Sequence, residues 1–144
     1  MEPGLKQLFP THIDSPSAMV EFGKSLAPCL TPGDVLALIG NLGSGKTHLT
    51  QGIVQYFDYP DTVTSPTFGL IHEYTGTPII HADLYRMKQA EELLAIGWED
   101  YLEHDAILVI EWAERFPQLM PDGTHWIKID YSKPSGRDLS YTRY

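Results

Sequence analysis

The chain of 144 residues holds a single cysteine, Cys29. One thiol can form no intramolecular disulfide and supplies no cluster for zinc, and it suits a reducing compartment. Basic residues are scarce: ten Lys and Arg against nineteen Asp and Glu give a formal charge of −9. Nucleic acid and anionic membranes are gripped by a basic face, so this balance argues against either as a direct partner. Long apolar runs are missing too. The two clearest, Val35–Ile39 and Ala106–Ile110, have five residues each, far short of a bilayer span. The first fourteen residues are broken by Pro3, Gly4 and Pro10 and carry no apolar stretch of signal-peptide type. No repeat, low-complexity tract or long charge run stands out. These absences predict a soluble cytoplasmic chain with no membrane association.

What is present is ordinary globular composition, 42% hydrophobic and 20% charged. At this length a compact domain buries roughly 70% of the surface its unfolded chain exposes. We expect one domain over residues 1–144, with residues 1–14 a loosely ordered lead. Ser15-Pro16 reads as a helix start, an N-cap followed by proline at the first helical position, and Met19, Phe22 and Leu26 share one face. Thr31 to Asp34 is a turn. Val35–Ile39 has no polar alternation, which suits a parallel strand covered on both faces. Residues 68–74 and 78–82 predict an antiparallel hairpin, and residues 89–96 a short helix capped by Gly97. Ala106–Ile110 is a second central strand; residues 126–130 and 139–142 are lesser strand candidates. The sum is an α/β domain with a mostly parallel centre and an antiparallel margin.

Between the first central strand and the next helix, Gly40-Asn41-Leu42-Gly43-Ser44-Gly45-Lys46-Thr47 matches G-x4-G-K-[ST], the Walker A pattern. Chance produces that match on the order of once in a few hundred chains of this length. Its strand–loop–helix setting makes it far more specific. Glycines allow successive N–H groups to turn toward phosphate oxygens, and the helix N-terminus adds its unsatisfied donors. Lys46 supplies charge for the β- and γ-phosphates, and the Thr47 hydroxyl is a candidate Mg²⁺ ligand. Four apolar residues, Ile107 to Ile110, run into Glu111, which places a carboxylate at the end of a buried strand where open α/β sheets bind ligands. Glu111 is therefore the candidate acidic partner of Thr47; a plain surface glutamate is the alternative. His81 and Asp83 share one side of an extended segment. Two such groups without a third do not make a zinc centre.

Four motifs in order carry a resemblance across almost the whole chain: the phosphate loop, Thr64-Ser65-Pro66-Thr67-Phe68, His81-Ala82-Asp83-Leu84-Tyr85-Arg86 and Glu111-Trp112-Ala113-Glu114, with Gly136-Arg137 near the end. They resemble the TsaE family, small P-loop ATPases of bacterial threonylcarbamoyladenosine tRNA modification. The likeness weakens before about Ser15. Asn41, Ser44 and His48 depart from the residues usual in relatives, and none of the three removes a phosphate or magnesium group.

The resemblance implies a single P-loop NTPase domain, its central sheet flanked by helices, using ATP and Mg²⁺. It implies the partners TsaD and TsaB, with TsaC in the same pathway and tRNA contacted only indirectly. Gly43, Ser44, Gly45, Lys46, Thr47 and His48 would bind the nucleotide, with Ser15 and Arg137 on the nucleoside side and Trp112 beside the nucleotide or a partner. Lys46, Asp83 and Glu111 would be catalytic, and Thr47 and Glu111 would hold the metal. Thr64, Ser65 and Thr67 would form a switch-like loop sensing the γ-phosphate; a strand-initiating turn is the other reading of that segment. Arg86 would meet phosphate or a partner, or only a surface ion pair, and Glu114 would lie on an exposed helical turn. Spacing leaves open whether Asp83 or Glu111 is the direct base. The competing functions are a small P-loop kinase and a non-catalytic nucleotide-binding module. Kinases usually carry arginines in a closing lid, and this chain has four in all, with no arginine-rich insertion.

Overall fold

The computed structural model describes residues 4–41, 43–60, 71–103, 105–132 and 135–143. In chain order the elements are β1 (Thr11–Ile13), α1 (Pro16–Leu26), β2 (Val35–Ile39), α2 (Lys46–Tyr56), β3 (Ile71–Glu73), β4 (Ile79–Asp83), α3 (Ala90–Ala95), α4 (Trp98–Glu103), β5 (Ile107–Glu111), β6 (His125–Tyr131) and β7 (Arg137–Arg143). They build one sheet of seven strands in the order β1-β7-β6-β2-β5-β4-β3. The four central strands, β6, β2, β5 and β4, run parallel. β3 pairs antiparallel at one margin, β7 and β1 at the other. The α/β class and the parallel centre agree with the expectation from sequence.

The apolar runs are continuous because both faces of the centre are covered. Leu36, Leu38, Ile107, Val109, Ile127 and Ile129 face one core together with α1 and α2. Val35, Ala37, Leu108, Ile110 and Trp126 face the other, with Leu93 of α3 and Trp98 of α4. Alternation survives here as a choice between two buried cores. α1 begins as its sequence indicates: Ser15 Oγ accepts from Ala18 N at 3.1 Å, with Pro16 at the first helical position. α1 and α2 approach so closely that a Cβ at Gly23 would meet Leu49 O at 2.3 Å, and one at Gly52 would meet Val20 O at 1.9 Å. That contact seats α2, and with it the loop before α2, against the sheet.

The N-terminal lead departs from expectation. Residues 5–8 form a short 3-10 helix with Leu5 buried, and Thr11–Ile13 joins the sheet edge opposite residues 137–139 of β7. Phe9 packs on Phe22 and Tyr141. A strand of three residues carries little periodicity of its own, and its ordering comes from the strand it pairs with. α4 was not legible either, and β6 with β7 forms a hairpin with seven residues on each side, longer than the sequence suggested.

Candidate nucleotide-binding site

The loop from Gly40 to Gly45 lies at the carboxyl end of β2, where the sheet order crosses between β5 and β6. Gly43 and Gly45 adopt φ values of +79° and +111°, in the left-handed region that residues with a Cβ avoid. Ser44 N donates to Asn41 O at 3.0 Å, closing a turn, and Leu49 N to Gly45 O at 3.0 Å begins the helix. The first N–H groups of a helix have no partner within the helix and are the ordinary means of holding an anion.

Lys46 is buried, 5% exposed, and its Nζ donates to Gly40 O at 2.7 Å. The same ammonium lies 4.0 Å from Glu111 Oε1 and 4.0 Å from the centre of the Trp112 ring. Burial pulls the Lys46 ammonium below the usual lysine range, against the opposing influence of Glu111, Glu114 and Asp83. Trp112 reaches its place through a left-handed backbone, φ +63°, uncommon outside glycine and typical of functional sites. A hollow of about 260 Å³ is bounded by residues 43–48, Glu111 and Trp112.

Parallel register assembles the acidic side. Asp83 stands opposite Glu111 and His81 opposite Val109, so His81, Asp83 and Glu111 lie on the sheet face that carries α2. Burial raises the Asp83 carboxyl above the usual aspartate range, and Tyr85 N, donating to Asp83 Oδ1 at 3.0 Å, works against that. Glu111 is 3% exposed, and its Oε2 accepts from His81 Nε2 at 2.5 Å. The spacing of residues 81 and 83 places them on one side of the strand, and the structure shows that this side is buried at His81. Its bond to Glu111 depends on strand register, which one sequence does not disclose.

The expected phosphate-side residues, Gly43 to His48 with Glu111 and Trp112, therefore converge. Ser15 and Arg137 border an adjoining hollow of about 120 Å³ with Met19, Ser44, His48 and Gly136. Arg137 is also bound to the loop itself, from Nε to Ser44 O and from Nη2 to Gly43 O, both at 3.1 Å, with its guanidinium over the Tyr131 ring. Thr64, Ser65 and Thr67 lie outside the described residues. Glu114 is not on an exposed turn. It is half-buried on a short 3-10 helix, and its Oε1 has no hydrogen-bond partner among the described residues. Arg115, which the sequence left without a role, donates to the carbonyls of Leu84 and Tyr85 and ties down the chain after β4. A larger hollow of about 540 Å³ on the other sheet face, against Met120 and Trp126, contains none of the expected site residues.

Strand, glycine loop and helix, with a buried acid at the end of the neighbouring parallel strand, define a P-loop α/β domain. The family model described as threonylcarbamoyl adenosine biosynthesis protein TsaE matches residues 13–139. This chain belongs to the TsaE family. It is 38% identical over 127 residues to the tRNA threonylcarbamoyladenosine biosynthesis protein TsaE of Haemophilus influenzae, covering 83% of this chain and 80% of that protein. It is 33% identical over 130 residues to the Bacillus subtilis protein of the same name, covering 89% and 81%. A solved structure titled as that of Bacillus subtilus YdiB superposes with a TM-score of 0.77 at 28% identity, over 94% of this chain and 84% of the other. Among the described residues no helix is long and apolar enough to cross a membrane.

Proposed function

We propose that this chain is a magnesium-dependent ATPase serving the threonylcarbamoyladenosine modification of tRNA in the cytoplasm. It would act with TsaD and TsaB, with TsaC in the same pathway. The observation that carries the reading is the meeting of Lys46, the Gly43–Gly45 turn and buried Glu111 around one hollow. Its formal charge of −9 fits a protein that leaves tRNA contact to its partners.

The residues suit a magnesium nucleotide. Ser44 Oγ is buried at the loop with no hydrogen-bond partner among the described residues, and Lys46 Nζ rests on a main-chain oxygen that a phosphate oxygen can replace. The nearby metal donors are oxygens: the Thr47 hydroxyl and the Glu111 carboxylate. Magnesium favours such a set, taking one or two carboxylates and completing its shell with phosphate and water. Bound there, a magnesium nucleotide would supply a polarised phosphoanhydride to be cleaved.

In this reading the residues divide the work. Loop amides and Lys46 neutralise charge on the phosphates, and Trp112 excludes water from the lysine. Thr47 and Glu111 hold the metal. Asp83, with its carboxyl raised by burial, orients or deprotonates the attacking water. Ser15 and Arg137 border the nucleoside side, and Thr64, Ser65 and Thr67 sense the γ-phosphate.

The test is phosphate release from ATP by the purified chain, alone and with TsaB and TsaD. The reading expects magnesium-dependent release that rises when the partners are present, since P-loop sites are often completed in trans. Transfer of phosphate to a nucleoside or metabolite acceptor would replace it with a kinase.

A further inference from the structure

We infer that His81, backed by Tyr74, is the positioning residue that fixes which oxygen of Glu111 faces the phosphate hollow, an inference that rests on the hydrolytic reading of this site. His81 is 0% exposed, an unusual place for an imidazole without a structural or chemical task. Its two ring nitrogens engage different neighbours. Nε2 donates to Glu111 Oε2 at 2.5 Å, and Nδ1 lies 3.3 Å from the Tyr74 hydroxyl. An ionised carboxylate only accepts, so the proton of that first bond belongs to the ring.

The arrangement is fixed by strand register and ring packing. His81 and Glu111 project from adjacent parallel strands onto the same face, through the pairs His81–Val109 and Asp83–Glu111. Tyr74 is 2% exposed and lies nearly parallel to the His81 ring, at an interplanar angle of 21°. Tyr59 meets Tyr74 edge-on, with ring centres 5.0 Å apart. Burial pushes the Tyr74 hydroxyl up to about 12, so it stays protonated at neutral pH.

The consequence for Glu111 follows from competition. A buried carboxylate beside a buried ammonium lowers its energy by moving into direct contact. Here Oε2 is tied to β4, while Oε1 stands 4.0 Å from Lys46 Nζ, which donates to Gly40 O instead. His81 thus holds the carboxylate back from a close ion pair that would occupy both groups. Lys46 remains available to phosphate, and one Glu111 oxygen remains directed to the metal side of the hollow. Partners that orient metal-binding carboxylates in this way commonly matter about 10–100-fold for metal affinity or activity.

The experiment compares wild type, His81→Gln, His81→Leu and Tyr74→Phe in the full chain. It reads kcat and KM with TsaB and TsaD present, and the Kd for ATP with magnesium and with a chelator. Glutamine can keep a donor near Nε2; leucine cannot. The expected result for His81→Leu is kcat lower by about 10–100-fold with KM changed less than about threefold. Its magnesium-dependent gain in ATP affinity should shrink by about tenfold while chelator-condition binding is unchanged. His81→Gln should recover most of both losses, and Tyr74→Phe should fall between wild type and His81→Leu. A folded His81→Leu protein with wild-type kcat and wild-type magnesium response overturns the inference. So does a His81→Gln protein as impaired as His81→Leu, which would assign the effect to packing. A wild type that binds ATP but hydrolyses none with its partners strikes the hydrolytic reading alone, because the magnesium response of the variants still reports on His81.

Discussion

Arg137 donates from Nη2 to the carbonyl of Gly43 and from Nε to that of Ser44, both at 3.1 Å, although it lies 94 and 93 residues away in sequence. The first of these peptides uses its Ser44 N–H to close the turn on Asn41 O, so it is the second, held through the Ser44 carbonyl, whose Gly45 N–H can turn to an anion. A phosphate loop has few side chains with which to hold its own shape, and here the last strand of the sheet holds it. Arg137→Ala is therefore expected to weaken ATP binding by about tenfold, the scale of one or two charge-assisted hydrogen bonds on a part-exposed site. Arg137→Lys should recover only part of that, because an ammonium cannot reproduce the fork. Equilibrium dialysis on the two variants checks both statements.

The strand that carries Arg137 is itself held by β1, and this contact has a pH dependence. His12 bonds Asp138 at 2.8 Å and Asp14 at 2.7 Å. Chiefly through Asp138, these raise the imidazole above its usual 6.5, and His12 in turn lowers Asp138 below the usual 3.8. A raised histidine stabilises the fold fully below its unfolded value and loses that contribution as pH rises through its folded value. The lowered aspartate sets the other edge, its contribution being lost as pH falls below the usual carboxylate range. The Tm gap between wild type and His12→Ala should be widest near pH 5 to 6 and narrow as pH rises through the raised His12 value. Thermal melts across that range measure it; a gap that widens toward alkaline pH contradicts the assignment.

Gly52→Ala tests the seating of α2. Alanine is the better helix former by up to about 1 kcal/mol, so propensity alone predicts stabilisation. A Cβ there would lie 1.9 Å from Val20 O, a main-chain atom that cannot swing aside. Overpacking costs about 1–3 kcal/mol, and the substitution should lower Tm by several degrees. Gly4→Ala, where a Cβ meets nothing within 4 Å, is the control and should change little.

Legibility in the sequence followed physical cause. The phosphate loop could be read directly because its chemistry demands particular residues at fixed offsets. β2 and β5 could be read because burial on both faces leaves no polar position, and α1 because Ser15 and Pro16 do what N-terminal residues do. β1 could not, since three residues order only against β7. Burial of the Glu114 carboxylate likewise depends on how the chain turns after β5. The roles of His81 and Arg137 were hidden for a related reason. Each acts through a partner 30 or more residues away, His81 on Glu111 and Arg137 on the glycine loop. Their residue types were visible, but the pairings needed strand register.

Glu111→Gln separates binding from chemistry. The amide keeps an oxygen to accept from His81 but removes the charge assigned to the metal. Binding of ATP in chelator should stay within a few-fold of wild type, while turnover with TsaB and TsaD falls by at least about a hundredfold. Single-turnover phosphate release alongside dialysis distinguishes the two effects.

In the proposed function the Gly43–Lys46 turn holds a nucleotide's phosphates. The direct measurement is calorimetric titration of magnesium ATP into the wild-type chain and into Lys46→Ala, each first shown to be folded by its thermal melt. The wild type should show a saturable single site, and the variant an affinity weaker by up to about a hundredfold, the scale of one buried charged contact to phosphate. Equal affinity in both proteins would contradict that proposal.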